Sequence, residues 1–324
     1  DTGIINKIET LYFILVMNIY YKYNQTMTIT EDQIYYLTTL TRYLYSRIEV
    51  KQSLFISLLQ KDISQALFWG YELYYSGFQE ETFDFIKDIY QEIYEKLNPD
   101  LKNFIDNTIT EWNECDNDDK DCNLGSIIYT LSQREYDMVD FVKSKISYNI
   151  TKDTPQVECN MPLCISTMLP EHIDKYKTHI VSTENGEKAY EVLSTLKLYP
   201  IIKDHNTLFN TQMPEVFSKI YHDTLEHWLF CAARSPVWLQ RIEEHNGTID
   251  DENQKVVFEN DDDESAFCEL WDYVPDELPS NIQELSLGNG KEKQLTMKQF
   301  CKKHKYTVVS KITKKKVVKK SDKS

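Results

Sequence analysis

At 324 residues, 41% of them hydrophobic and 13% aromatic, the chain has enough apolar surface for one large domain or two smaller ones, and it is too aromatic for an intrinsically disordered protein. Only 8 residues are glycine, and neither the glycine spacing of a dinucleotide fold nor that of a P-loop occurs. The net charge of −16 conceals an asymmetry: residues 291–324 hold thirteen Lys against Glu292 and Asp322, whereas residues 243–277 hold fourteen acids against Lys255 alone.

Residues 1–26, rich in Ile, Asn, Tyr and Lys, read as a non-native or disordered leader, with Met27 as the expected biological start. From Glu31 the apolar spacing is helical. Val50, Leu54, Leu58 and Leu59 define one face of a helix ending at Lys61-Asp62. A second helix follows at once through Ile63, Ala66, Leu67, Gly70, Leu73 and Tyr74. Its small residues Ala66 and Gly70 admit a close neighbour, and Gly77 stands where a left-handed C-cap is wanted. A third runs from about Glu80 through Phe83, Ile86, Tyr90, Ile93 and Leu97, ending at Asn98-Pro99. Leu101 to Trp112 makes a fourth.

After an acidic loop at 114–123, Ile127, Ile128, Leu131, Met138, Val139 and Val142 predict a further helix. Residues 149–165, with Pro155 and Pro162 and no periodicity, are the expected linker between helical subdomains at 27–148 and 166–304. Beyond it, helices are expected over 187–198, 214–233 and 236–245, a short strand at 256–258, and a helix capped by Thr296. Residues 305–324 read as a basic flexible tail. The expected fold is mainly all-α, an irregular antiparallel helical array with at most a short β element near 254–259.

The seven cysteines are irregularly spaced and odd in number, which indicates free thiols in a reducing, intracellular setting. Cys159 and Cys164 lack a second pair at finger-like spacing, so no zinc site is expected. The segment Asp119 to Thr130 mimics the start of a calcium loop. It fails at Leu124, where glycine is needed, and at Thr130, where a bidentate Glu is needed. His222 and His227 lie five residues apart, about 140° around a helix, too far to clasp one ion. No catalytic residue, metal or cofactor is expected, and no apolar run reaches the length of a membrane span.

Two features invite partners. Phe68, Trp69, Tyr71 and Tyr75 cover more than one helix face, so their helix is either buried on several sides, the default, or offers a partner surface. The cluster Lys311, Lys314, Lys315, Lys316, Lys319 and Lys320 suits phosphate contact or nuclear import.

The stretches Tyr36-Leu37-Thr38, Arg42 to Val50 and Ala66 to Gly77, with Asp272 to Glu277 and Phe300-Cys301, resemble an uncharacterised protein family of nucleocytoplasmic large DNA viruses, the giant viruses. The resemblance spans about Met27 to His304. It implies a host-cell setting, the cytoplasmic viral factory or the nucleus, and no particular activity. The expected function is therefore a non-enzymatic helical interaction or scaffold protein with protein partners. The alternative is a nucleic-acid-associated factor that grips phosphate through its Lys-rich tail.

Overall fold

The computed structural model describes residues 35, 38–115, 119–145, 149–153, 165, 167–177, 198–202, 224, 226–271 and 295–309. The fold is mainly α-helical, as the periodicity predicts. Helix α1 (Arg47–Gln60) and α2 (Ile63–Tyr74) form a tight antiparallel pair. Their connection is only two residues long, and local chemistry explains it. Lys61 turns left-handed at φ 56°, and its N–H and that of Asp62 bond back to Leu58 and Ser57. Asp62 then caps α2 by accepting from the Gln65 backbone N–H at 3.1 Å.

At the other end of α2, Gly77 takes φ 97°, with the Gly77 N–H on Tyr74 and the Phe78 N–H on Leu73. This double closure is open to glycine at least strain. Gly70 plays a packing role: a Cβ there would lie 2.2 Å from Ile128 Cδ1, so its absence lets α5 (Cys122–Ser132) approach α2 closely. Between them in sequence come α3 (Gln79–Ile89), which runs into a π-turn at Tyr90–Tyr94, and α4 (Leu101–Glu114). The single helix expected over 127–142 divides instead into α5 and α6 (Val139–Lys145). Asp137 makes the break, because its N–H bonds to the Ile93 carbonyl at 2.7 Å while its carboxylate accepts from the Val139 N–H and starts the next helix.

Beyond α6 lie β1 (Asn149–Lys152), α7 (Pro170–Lys177), α8 (Trp228–Ala232) and α9 (Pro236–Glu243). A hairpin of β2 (Gly247–Asp250) and β3 (Lys255–Phe258) follows, then α10 (Asp261–Trp271), α11 (Met297–Lys303) and β4 (Tyr306–Val309). The hairpin fulfils the expected β element. A second ribbon departs from the expectation. Residues 149–152, within the predicted linker, pair antiparallel with 306–309, within the predicted tail, in the register Ile150 with Val308 and Lys152 with Tyr306. Ile150 and Tyr306 are buried beneath it. The expected helix at 187–198 lies outside the described residues apart from Leu198, as does most of 214–233.

The core is continuous through the segment 39–46. Leu40 N–H bonds to the Cys231 carbonyl at 3.3 Å, and Trp238 Nε1 donates to the Thr41 carbonyl at 3.2 Å. The elements 228–243 thus rest on the same segment that enters α1. Trp228, Trp238, Phe267 and Trp271 form a second aromatic cluster there, with the Arg241 guanidinium 4.5 Å from the Trp238 ring and 4.2 Å from the Trp271 ring.

Candidate functional site

The aromatic segment of α2 builds core, and its proposed partner surface is corrected on that point. Phe68, Trp69 and Tyr71 are buried, and Tyr75 is half-buried. Phe68 packs on Trp69 and Tyr199 with ring centroids 4.8 and 5.2 Å away, and Trp69 packs edge-on against Tyr45 at 5.2 Å. Rings spread around more than one face are explained by neighbours on more than one side: α1, α5 and the segments carrying Tyr45 and Tyr199.

One charge sits amid these rings. Glu72 is completely buried, and burial pushes its carboxyl above the usual range against the opposing pull of Arg42. Arg42 Nε donates to Glu72 Oε2 at 2.9 Å, and the Tyr43 N–H donates to Oε1 at 3.0 Å. Arg42 Nη2 reaches the Tyr176 carbonyl at 2.9 Å, and its guanidinium lies 4.4 Å from the Tyr43 ring and 4.9 Å from the Tyr75 ring. Ser76 Oγ accepts the Arg42 N–H at 2.8 Å and itself donates to the Glu72 carbonyl. The network fastens the 39–46 segment, α2 and α7 together. Its groups are turned on one another rather than toward an open space, which is the arrangement of a structural clamp. The pair has one signal in the sequence, since Glu72 is the sole charge in Ala66 to Tyr75 and a buried charge requires a partner.

A second polar node lies nearby. Asp121 Oδ2 accepts from Tyr75 Oη at 2.6 Å and faces Lys177 Nζ at 3.2 Å, while Tyr71 Oη donates to the Asp121 carbonyl at 3.1 Å. Tyr71 stacks between Tyr75 and Tyr176 at 5.5 and 5.2 Å. Burial, and then proximity to Asp121, raises the phenols of both Tyr71 and Tyr75. Residues 122–132 are helical, and Leu124 and Thr130 are buried in the core.

Reactive chemistry finds little support among the described residues. No group of three or more His, Cys, Asp and Glu among them could hold a metal ion. Burial raises the thiols of Cys268 and Cys301, and pushes that of Cys122 up to about 11, so all three are protonated at neutral pH and weak as nucleophiles. Cys159, Cys164 and His222 lie outside the described residues. No described helix is long and apolar enough to cross a membrane. On α3, burial and then the Asp84 charge push the Asp88 carboxyl up to about 6, with Lys51 and Lys87 pulling the other way.

The surface is where the charge asymmetry becomes structural. Several acids of the helical body meet cations: Glu81 with Arg47 and Lys51, Asp106 with Lys87, Glu135 with Lys61, Asp137 with Lys96. The unit α9–β2–β3–α10 differs. From Glu243 to Trp271 it holds eleven acids against Lys255. Among the described residues no ion pair joins any of those acids to a Lys or Arg. The first turn of α10 gathers Asp261, Asp262, Asp263 and Glu264, where negative charge also favours the helix N-terminus. At the other extreme, residues 297–309, which span α11, the following turn and β4, carry Lys298, Lys302, Lys303 and Lys305 and no acid. The expected tail residues Lys311, Lys314, Lys315, Lys316, Lys319 and Lys320 lie outside the described residues.

Comparison with protein-family models, with curated proteins and with solved structures finds no match.

Proposed function

We propose that this chain is a non-enzymatic helical scaffold that engages basic protein partners through the acidic surface of α9–β2–β3–α10. The observation that carries this reading is the density of one sign of charge: eleven acids in 243–271 against Lys255, none of them ion-paired with a described Lys or Arg. A single-sign field of that density attracts a Lys- or Arg-rich segment and orients its approach. A rigid platform supports it: α9 and α10 are pinned by Trp238, Phe267 and Trp271, so the charges are presented in a fixed pattern at low entropic cost. The resemblance to the giant-virus family supports an infected-cell setting for such a scaffold.

Calorimetric titration of the full chain with a Lys-rich peptide tests the reading. Neutralising Asp251, Glu252, Glu259 and Asp262, as Asn or Gln, should weaken binding about 10-fold or more at low salt, and raised salt should abolish the difference. Equal affinity for the parent and this variant would remove the proposal.

A further inference from the structure

We infer that the folded α11–β4 unit is itself a docking surface for the phosphate backbone of duplex nucleic acid, independent of the acidic surface. On α11, at about 100° per residue, Phe300, Cys301 and His304 occupy one arc and are buried. The remaining arc is filled by Lys298, Lys302, Gln299 and Lys303, all exposed, and the exposed Lys305 follows in the turn before β4.

This basic face continues onto the helical body. Lys61 and Lys152 both reach Glu135, Lys152 at 3.8 Å, and the Glu135 carboxyl is held below its usual range by the Lys61 bond first and also by the charges of Lys152 and Lys305. Lys61, Lys152 and Lys305 therefore converge on one carboxylate. Asp153, whose N–H bonds to the Lys305 carbonyl at 2.9 Å, and Asp137, whose charge acts on the Tyr306 phenol, also lie beside the unit. Among the described residues, six lysines (Lys61, Lys152, Lys298, Lys302, Lys303, Lys305) outnumber the acids beside them, Glu135, Asp137 and Asp153, on a chain whose total charge is −16.

The face is also rigid. The β1–β4 ribbon clips the unit to the body, Tyr306 Oη accepts the Met138 N–H at 2.9 Å, and Tyr136 Oη, which donates to the Leu59 carbonyl at 2.9 Å, lies 3.2 Å from His304 Nδ1. Tyr136 has one proton and gives it to Leu59, so His304 Nδ1 is the donor in that last contact.

Two arguments select duplex phosphate as the occupant. Exposed Lys–carboxylate pairs between proteins contribute little each, because water and salt screen them. A lysine on duplex phosphate also releases condensed counterions, so each contact adds about 0.9 to the salt slope of log affinity. The rings of the unit, Phe300 and Tyr306, are buried, so it offers no stacking platform for unpaired bases.

Fluorescence anisotropy of the full chain with a mixed-sequence DNA duplex, across salt, tests the inference. The variant Lys298→Gln, Lys302→Gln, Lys303→Gln, Lys305→Gln should bind more weakly at low salt and lose about 3 to 4 units of slope, with its melting temperature unchanged within a few degrees. A chain lacking residues 310–324 should retain that share of the slope. Three results would overturn the inference: an unchanged slope in the quadruple variant, no duplex binding by the parent at low salt, or binding to phosphatidylserine vesicles without binding to duplex. Failure here leaves the acidic-surface reading intact, because the peptide titration perturbs different residues.

Discussion

Replacing Arg42 by Met tests the central clamp directly. Met fills much of the slot between the Tyr43 and Tyr75 rings but leaves Glu72, wholly buried, with only the Tyr43 N–H at 3.0 Å and the Thr41 hydroxyl as named partners. It also strips the Tyr176 carbonyl of the Arg42 donor. Removing one member of a buried ion pair costs about 3 to 5 kcal/mol, and at about 2 to 4 °C per kcal/mol the melting temperature should fall by about 6 to 20 °C near pH 7.5. The pH dependence has a definite sign. Burial already raises the Glu72 carboxyl, and Arg42 is the charge that restrains it, so the variant raises it further. A raised folded-state value means stability that is complete below the unfolded value and lost as pH rises through the folded one. The deficit of Arg42→Met should therefore shrink toward pH 4.5 and grow toward pH 8. Pairing it with Glu72→Leu removes both charges and should recover the parent to within about 2 kcal/mol, the remainder arising from the Tyr43 N–H left without its acceptor. Urea titrations at several pH values decide it. A deficit under about 1 kcal/mol, a deficit independent of pH, or a double variant no better than the single one would each refute the clamp.

Two further outcomes follow from named groups. The Asp88 carboxyl, pushed up to about 6 by burial and Asp84, contributes stability that is complete below about 4 and lost as pH rises through 6. Asp88→Asn should match the parent at pH 4 and exceed it by about 1 kcal/mol at pH 7.5, a figure discounted for partial exposure, as read by denaturant unfolding at both pH values. Gly77→Ala places a Cβ at φ 97° and 2.5 Å from Pro236 Cβ, so a loss of about 2 kcal/mol or more is expected in thermal melting, and a neutral result would contradict the described turn.

What sequence makes legible divides along a physical line. The boundaries of α1 and α2 are readable because they are set within a few residues: the apolar stripe through Leu54 and Leu58, the capping Asp62, the left-handed Gly77. The clamp is legible only by half: Glu72 stands out as the sole charge between Ala66 and Tyr75, but its partner Arg42, 30 residues away, reads as an ordinary surface charge. The β1–β4 ribbon is hidden for the same reason, more strongly. Each strand has four residues, too few for an alternation to stand out, and its partner lies more than 150 residues away. The split of α5 from α6 depends on Asp137 meeting the Ile93 carbonyl, a tertiary event that helical periodicity through Met138 and Val142 masks. The α2 rings show the converse case. Periodicity alone leaves burial and display both open, and the contacts of Phe68 and Trp69 with Tyr45 and Tyr199 decide for burial.

The two charged surfaces differ in kind from these elements, because residue composition alone marks them out and the fold adds only their anchoring. That anchoring bears on how they act. The acidic unit stands on Trp238, Phe267 and Trp271, whereas α11–β4 stands on Ile150, Tyr136 and the Met138 N–H. The named supports share no residue, so neutralising exposed charges on one unit leaves the packing beneath the other untouched, and their effects on binding should add. Substitutions at the clamp belong to another class. Arg42 and Glu72 join the segment that carries the Thr41 carbonyl, on which Trp238 depends, to α2, so a loss there should weaken the acidic platform as well as the helical body. Binding by that surface should thus respond to the buried pair through stability and to its own carboxylates through charge, and salt separates the two causes, because only the second is screened.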